Sequence, residues 1–485
     1  PVRQRCVWLV LAVGMFGIGS PALGGSNLPL DDSMSEVSIS VAEQATGREF
    51  IRSARSRFRF VDDPLVLDVL RQIGARLSST LAGDTEILTF HLIENSQLNA
   101  FAGPGGHIGV FTGLITATES EAELASVIAH ELAHVTQRHL PRMIERAQQR
   151  QIPATAGMIA AILLGGQAGA ATMAVTNAAA ISDQLSYTRA FEREADALGL
   201  KILNAAGYDP EAMARFLQRL EQSSRFQDAE IPEYFRTHPL SSNRIAEMEG
   251  RTVNYPSVVD EASPNFLHAQ ARITAIYGDD AERAIEQFRH RIASDTGAAS
   301  RAARYGLALA ALKTGELEVA IEQAHRLWES YPADRFYVVG LAESYQGRGD
   351  FSTALGVLAA GYPVDADDPV LSSYYADALI KAGKPGKAKS VIRAGLRAAP
   401  HSIVLFRLLA RAEGELGRLA ESFQALAETH YLSGDLGLAL EKLELAVKHS
   451  GNSAYLKASI AARQAEILLE VVVLVGCREQ PVVGR

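Results

Sequence analysis

The stretch His130-Glu131-Leu132-Ala133-His134 decides how this chain is read. Histidines four residues apart sit one turn apart on the same helix face, so both can converge on a single metal ion. Glu131 points about 100° around the helix, from where its carboxylate reaches a water on that ion. Zinc would lower the pKa of that water toward neutrality, and Glu131 would take its proton and pass it to a leaving amine. The setting is helical: across residues 121–140, Leu124, Val127, Ile128 and Leu132 recur at apolar intervals.

A catalytic zinc needs one more protein ligand and an open position. Phe191-Glu192-Arg193-Glu194-Ala195-Asp196 is the candidate, placed at the opening of a second helix over 195–203. Glu192 and Asp196 are four apart and share a face, whereas Glu194 points nearly opposite to Glu192. A ligand and a carboxylate that orients a ligating histidine must share a face. Glu192 is therefore assigned as the third ligand and Asp196 as the orienting carboxylate, with Glu194 left to solvent or an ion pair. His107 and His139 lack ligand spacing and are read as ordinary polar residues.

Around this centre, 64–81 has helical periodicity, and 85–93 and 107–112 read as strands. Gly103-Pro104-Gly105-Gly106 is a turn by composition. The second half repeats. Gly315, Gly349, Gly383 and Gly417 are spaced by 34 residues, as are Ala308, Ala342, Ala376 and Ala410, and Ala320, Ala354 and Ala388. That period, with a small residue on the first helix, glycine at the turn and alanine early in the second helix, is the tetratricopeptide pattern. Gly434 with Ala439 breaks the phase, as terminal repeats do. Residues 265–465 are expected to form an all-α solenoid with a concave face for polypeptide.

The ends differ from the body. Arg3 and Arg5 precede an apolar run from Val7 to Phe16 and a small-residue exit through Ala22-Leu23-Gly24, which describes a secretory signal over 1–25. The run is short for a membrane span. Cys6 falls inside the expected signal, so only Cys477 would remain in the mature chain and no internal disulfide is expected. Residues 151–182 carry no charge before Asp183 and read as a buried or loose helical connection, a membrane-touching hairpin being the alternative. The tail 469–485, with its Val471–Val475 run, is left unassigned. A net charge of −9 argues against nucleic acid, because phosphate recognition needs concentrated Lys and Arg.

Together, His130-Glu131-Leu132-Ala133-His134-Val135-Thr136-Gln137-Arg138-His139 and the Glu-x-x-Ala-Asp pattern of 192–196 resemble the HtpX/Oma/Ste-type zinc peptidases. The resemblance covers 43–251 and implies an α+β zincin-type metallopeptidase domain, mainly helical, over 43–255, followed by the tetratricopeptide solenoid. It implies one zinc ion per chain on His130, His134 and Glu192, with Glu131 as the catalytic carboxylate. It adds Thr237-His238-Pro239, whose His238 would occupy the open zinc position at rest or donate to the oxyanion. It also adds Arg244, which would support the oxyanion or the Glu192 helix, or form a surface ion pair. Asn99-Ala100-Phe101-Ala102 and 107–112 match the strand bordering the cleft in such enzymes. With an export signal before it and repeats after it, the chain is similar to periplasmic peptidases that act on unfolded or stalled outer-membrane proteins. The repeats would then dock clients or the outer-membrane assembly machinery, with peripheral membrane contact. The rival class is a periplasmic chaperone or scaffold with a latent metal site.

Overall fold

Residues 36–149, 178–226, 234, 237–239, 242–256, 258, 263–362 and 368–479 are described by a computed structural model of the chain. The signal expected over 1–25 lies outside them, as do most of 151–182 and the last six residues of the tail. No described helix is long and apolar enough to cross a membrane.

The first half is α+β. Strand β1 (Glu36–Val37) leads into helix α1 (Val41–Arg55), whose Ser40 and Glu43 close a reciprocal cap. Helix α2 (Pro64–Ser78) starts on Asp63, whose carboxylate accepts from the backbone N–H groups of Leu65 and Val66. Strand β2 (Ala82–Gly83) pairs in parallel with β1. The strand expected over 85–93 is shorter, because a tight helical turn at Thr85–Ile87 takes up its first residues. What remains is β3 (Thr89–Ile93), followed by β4 (Ala100–Ala102) and β5 (His107–Phe111). Their order is β3-β5-β4, parallel between β3 and β5 and antiparallel between β5 and β4, so β4 forms one edge.

Helices α3 (Thr112–Ala117), α4 (Glu121–Thr136) and α5 (His139–Gln149) follow, then α6 (Ala178–Ala205), α7 (Glu211–Phe226) and α8 (Ser242–Thr252). Residues 191–196 do not open a helix as expected. They sit in the middle of α6, because the alanine-rich text upstream of Phe191 is itself helix-forming.

The second half is a run of helix pairs. These are α9 (Pro264–Tyr277) with α10 (Ala281–Ser294), α11 (Gly297–Thr314) with α12 (Leu317–Ser330), and α13 (Arg335–Gly347) with α14 (Phe351–Gly361). They continue as α15 (Pro369–Lys381) with α16 (Pro385–Ala398), α17 (Ile403–Glu415) with α18 (Leu419–Leu432), and α19 (Leu436–His449) with α20 (Ala454–Glu479). Gly315, Gly349, Gly383 and Gly417 end the first helices of four pairs with φ of 69° to 85°, the left-handed turn the repeat requires. Gly434 turns α18 into α19, and Gly451, 34 residues after Gly417, keeps the register that Gly434 alone seemed to break. The tail left unassigned from sequence is helical as far as Glu479. Ile460 and Ile467 of α20 are buried with Leu443 and Ala446, and Glu470 pairs with Arg48 of α1 at 2.6 Å.

The two halves share one apolar core running from Val61 through the repeats to Ala412. Across it lies a buried ion network. Arg272 of α9 donates to Asp63 at 2.6 Å and, through both terminal nitrogens, to Glu343 of α13 at 2.8 Å. Tyr374 of α15 donates to the other Asp63 oxygen at 3.1 Å. Beside it, Arg335 pairs with Asp68 at 2.6 Å and Arg407 with Asp62 at 2.8 Å. The first helices of successive repeats thus grip the start of α2, so part of the face expected to receive polypeptide already holds the first half of the chain.

Arg272 and Asp63 are 4% and 3% exposed at the side chain, so removing one partner strands a buried charge. Arg272→Met is expected to cost about 3–5 kcal/mol, read as a lower urea midpoint.

Candidate metal centre

Helix α4 is held at its N-terminal end and along its apolar face. Ser120 accepts from the Glu123 N–H, and Arg219 of α7 clamps the Glu123 carboxylate, with Nη1–Oε1 at 2.7 Å. Leu124, Val127, Ile128 and Leu132 are buried. On α6, Gly199 faces the backbone of His130, and a Cβ there would meet its N and Cα at 3.1 Å. Only glycine lets the two helices approach so closely without something shifting.

That approach brings four side chains together. His130, His134, Glu192 and His238 each point one donor atom into a space where all four atoms lie within 4.8 Å of one another. His130 Nε2 is 3.0 Å from His134 Nε2, 3.3 Å from His238 Nδ1 and 3.4 Å from Glu192 Oε2. Glu192 Oε1 is 3.2 Å from His238 Nδ1 and 3.5 Å from His134 Nε2. Ligands at about 2.0–2.1 Å around a tetrahedral ion stand about 3.3–3.4 Å apart. The donor set therefore fits a divalent metal ion in both spacing and chemistry.

The surrounding residues fall into place around it. Glu131 is buried, accepts from the Ala102 N–H of β4, and has Oε1 3.3 Å from His238 Nε2. Asp196 Oδ1 lies 3.2 Å from His130 Nδ1. Arg244 grips Asp196 with two bonds of 2.7 and 2.8 Å, reaches Glu192 Oε2 at 3.0 Å and donates to the Pro239 carbonyl at 2.9 Å. It is buried, not a surface residue, and it joins α8 to α6 and to the loop of His238. His107 is elsewhere, 3.1 Å from His91 on the neighbouring strand.

Tyr234 and Arg142 were not singled out from sequence, and His139, read there as an ordinary polar residue, contacts a member of the cluster. Tyr234 stacks on His238 with ring centroids 4.9 Å apart. His139 Nδ1 is 2.8 Å from His134 Nδ1, and its Nε2 is 3.1 Å from Glu194, which Arg142 also holds at 3.0 Å. Glu194 is thus ion-paired and does not face the histidine cluster, where Glu192 does. Its adjacency to Glu192 was the available signal, but the partner depends on a backbone turn at Arg138.

The electrostatics are those of a cation pocket. Burial opposes charge on His130, but its hydrogen bonds with Asp196 and Glu192 and their charges outweigh that and raise it to about 10. Burial also works against ionised Glu192, yet His238 and His130 hold its pKa well below the carboxylate range. Burial chiefly drives His134 well down, with the neighbouring histidines adding to it, and chiefly drives Glu131 up, with the Glu192 charge adding to it.

A helix-borne histidine pair, a glutamate from a second helix and a buried carboxylate beside them make this a metalloprotease of the zincin type. The chain belongs to peptidase family M48, whose model matches residues 68–252. It is 30% identical over 442 residues to the Beta-barrel assembly-enhancing protease of Yersinia pestis, covering 89% of this chain and 90% of that one. The protein of the same name from Escherichia coli K12 is 30% identical over 452 residues, 92% of each chain. The Mitochondrial metalloendopeptidase OMA1 of Arabidopsis thaliana is 31% identical over 197 residues, 39% of this chain and 35% of that one.

Asp196 also has its pKa lowered, burial being outweighed by its bonds to His130 and Arg244. A carboxylate with a depressed folded pKa adds stability that is complete above about pH 4 and lost as pH falls through the folded value. Arg244→Met is expected to remove about 3–5 kcal/mol at pH 7 and to flatten the remaining acid dependence below pH 4. Urea titrations in excess chelator at several pH values check both.

Proposed function

We propose that this chain is an exported zinc endopeptidase acting on outer-membrane β-barrel proteins that have stalled or unfolded in the periplasm. The observation that carries the reading is the convergence of donor atoms from His130, His134, Glu192 and His238 within 4.8 Å of one another. In this reading His130, His134 and Glu192 hold one zinc ion, Asp196 orients His130, and Arg244 steadies Glu192 and Asp196 together. Residues 43–255 are the peptidase domain and 265–465 the repeat domain.

Bound zinc supplies Lewis acidity, polarising the scissile carbonyl and lowering the pKa of a water. Glu131 accepts the proton of the attacking water and delivers it to the leaving nitrogen. Burial raises its pKa, which brings it closer to the working pH of a group that must both take and give a proton. The Ala102 N–H fixes its carboxylate. Because Ala102 belongs to the edge strand β4, an extended client pairing with β4 would lie alongside Glu131. Unclosed barrel strands are such clients, and backbone pairing captures them with little sequence selectivity.

His238 Nδ1 stands where the fourth ligand would. It is therefore a latch on the resting site, in preference to an oxyanion donor, and a client must displace it. Export is supported by the signal-like text of 1–25 and by relatives named for β-barrel assembly. The repeats would dock clients or the assembly machinery, with peripheral membrane contact.

Glu131→Gln is expected to lower turnover of an unfolded outer-membrane protein by roughly 10²–10⁴-fold while keeping one zinc per chain. Unchanged turnover, or client maturation and clearance that both persist, would point to a chaperone instead. His238→Ala is expected to cleave faster than wild type in the same assay; slower cleavage would return His238 to oxyanion support.

A further inference from the structure

We propose that His139 and Glu194 are positioning residues for His134, forming a relay that decides which nitrogen of His134 faces the metal. The inference rests on the metal-site reading above. It starts from tautomers. A neutral imidazole carries one proton, on one nitrogen. His134 Nε2 is the atom that joins the donor cluster, so its lone pair is needed there and the proton belongs on Nδ1.

His134 Nδ1 is 2.8 Å from His139 Nδ1. The His139 atom must therefore accept, which places the proton of His139 on Nε2. That Nε2 lies 3.1 Å from Glu194 Oε2, an acceptor, and Arg142 Nη1 donates to the same oxygen at 3.0 Å. Every donor meets an acceptor in this assignment. The reverse direction would put the His134 proton on Nε2, against His130 Nε2, and remove the ligand's lone pair.

The surroundings fix His139 in place. Its side chain is 3% exposed. Its ring stacks on Phe191 with centroids 4.2 Å apart and planes 18° apart, and the Arg142 guanidinium lies 4.4 Å from the centroid of the Phe191 ring. Arg138, between α4 and α5, takes φ 52°, a left-handed conformation that a residue with a side chain adopts only at a cost. Its guanidinium is held by the Ser38 carbonyl at 2.9 Å and by Glu43 at 3.0 Å. That turn folds the chain back so that His139 meets His134. The two metal histidines then each have an outer partner ending on a carboxylate of α6: Asp196 directly for His130, and Glu194 through His139 for His134.

The test uses full-length His139→Phe, Glu194→Ala and Glu194→Gln. Zinc affinity is measured by competition with a chromogenic chelator, and thermal melting in excess EDTA. His139→Phe and Glu194→Ala should bind zinc about 10–100-fold more weakly, while Glu194→Gln, whose amide oxygen still accepts from His139, recovers most of the loss. Glu194 is partly exposed, so Glu194→Ala should melt like wild type in EDTA. Long-range proton–nitrogen spectra of the zinc-loaded wild type should show His134 protonated on Nδ1 and His139 on Nε2. Wild-type zinc affinity in Glu194→Ala, a His139 proton on Nδ1, or an affinity loss matched by early melting in EDTA would overturn the relay. If wild type itself binds no zinc, the metal-site reading fails. If wild type and all variants bind alike, only the relay fails.

Discussion

At Gly199 the backbones of α4 and α6 come together, and the rest of the centre hangs on that contact. A side chain at this position would press on His130 itself, at 3.1 Å from its N and Cα. With the helices this close, one short stretch of α6 serves the whole cluster. Glu192 enters it, Asp196 reaches the outer nitrogen of His130, Phe191 backs His139, and Glu194 meets His139 from outside. Separating the two helices would lengthen every one of these distances together. Arg244 works in the same direction from α8, tying Asp196, Glu192 and the His238 loop with a single guanidinium.

How much of this is legible in the sequence follows from the range of the interactions. The ligand pair of α4 and the preference for Glu192 over Glu194 depend only on helical spacing, which any reader of the chain can apply. The repeats are legible for the same reason, since a glycine at each left-handed turn is a local requirement. The role of His139 is not legible, because it depends on a left-handed Arg138, and nothing in an arginine announces that conformation. Neither is Gly199, an unremarkable glycine inside a helix until the partner helix is known. The tail could not be assigned from its β-branched valine run, yet it continues α20, where Ile460 and Ile467 pack against α19.

The union of the halves was beyond sequence for a similar reason. Arg272 and Asp63 are 209 residues apart, and each looks like an ordinary surface charge in its own segment. In the structure Asp63 does two jobs at once: it caps α2 and it anchors the first repeats through Arg272 and Tyr374. Since α2 also packs against α4 and α6, the repeats are joined to the peptidase by the same helix that buttresses the pair carrying His130, His134 and Glu192. A repeat region bonded this way is part of the peptidase framework and not an appendage on a linker.

Charge balance gives the last argument about the site. Glu131, Glu192 and Asp196 bring three buried carboxylates to one small region, and among the described residues Arg244 is the one permanent cation facing them. With all three ionised the region carries two negative charges in excess, far more than a protein interior tolerates unpaired. Two of the protein's own responses are visible: His130 is pushed up to about 10, and Glu131 is pushed toward its neutral form. A single divalent ion among the four donor atoms matches the same excess and leaves the histidines neutral, as ligation requires. The balance also separates the two glutamates of α6. Glu194 already has Arg142 as its counter-charge. Glu192 shares its own with Asp196, and so remains the carboxylate on α6 with charge to offer a metal.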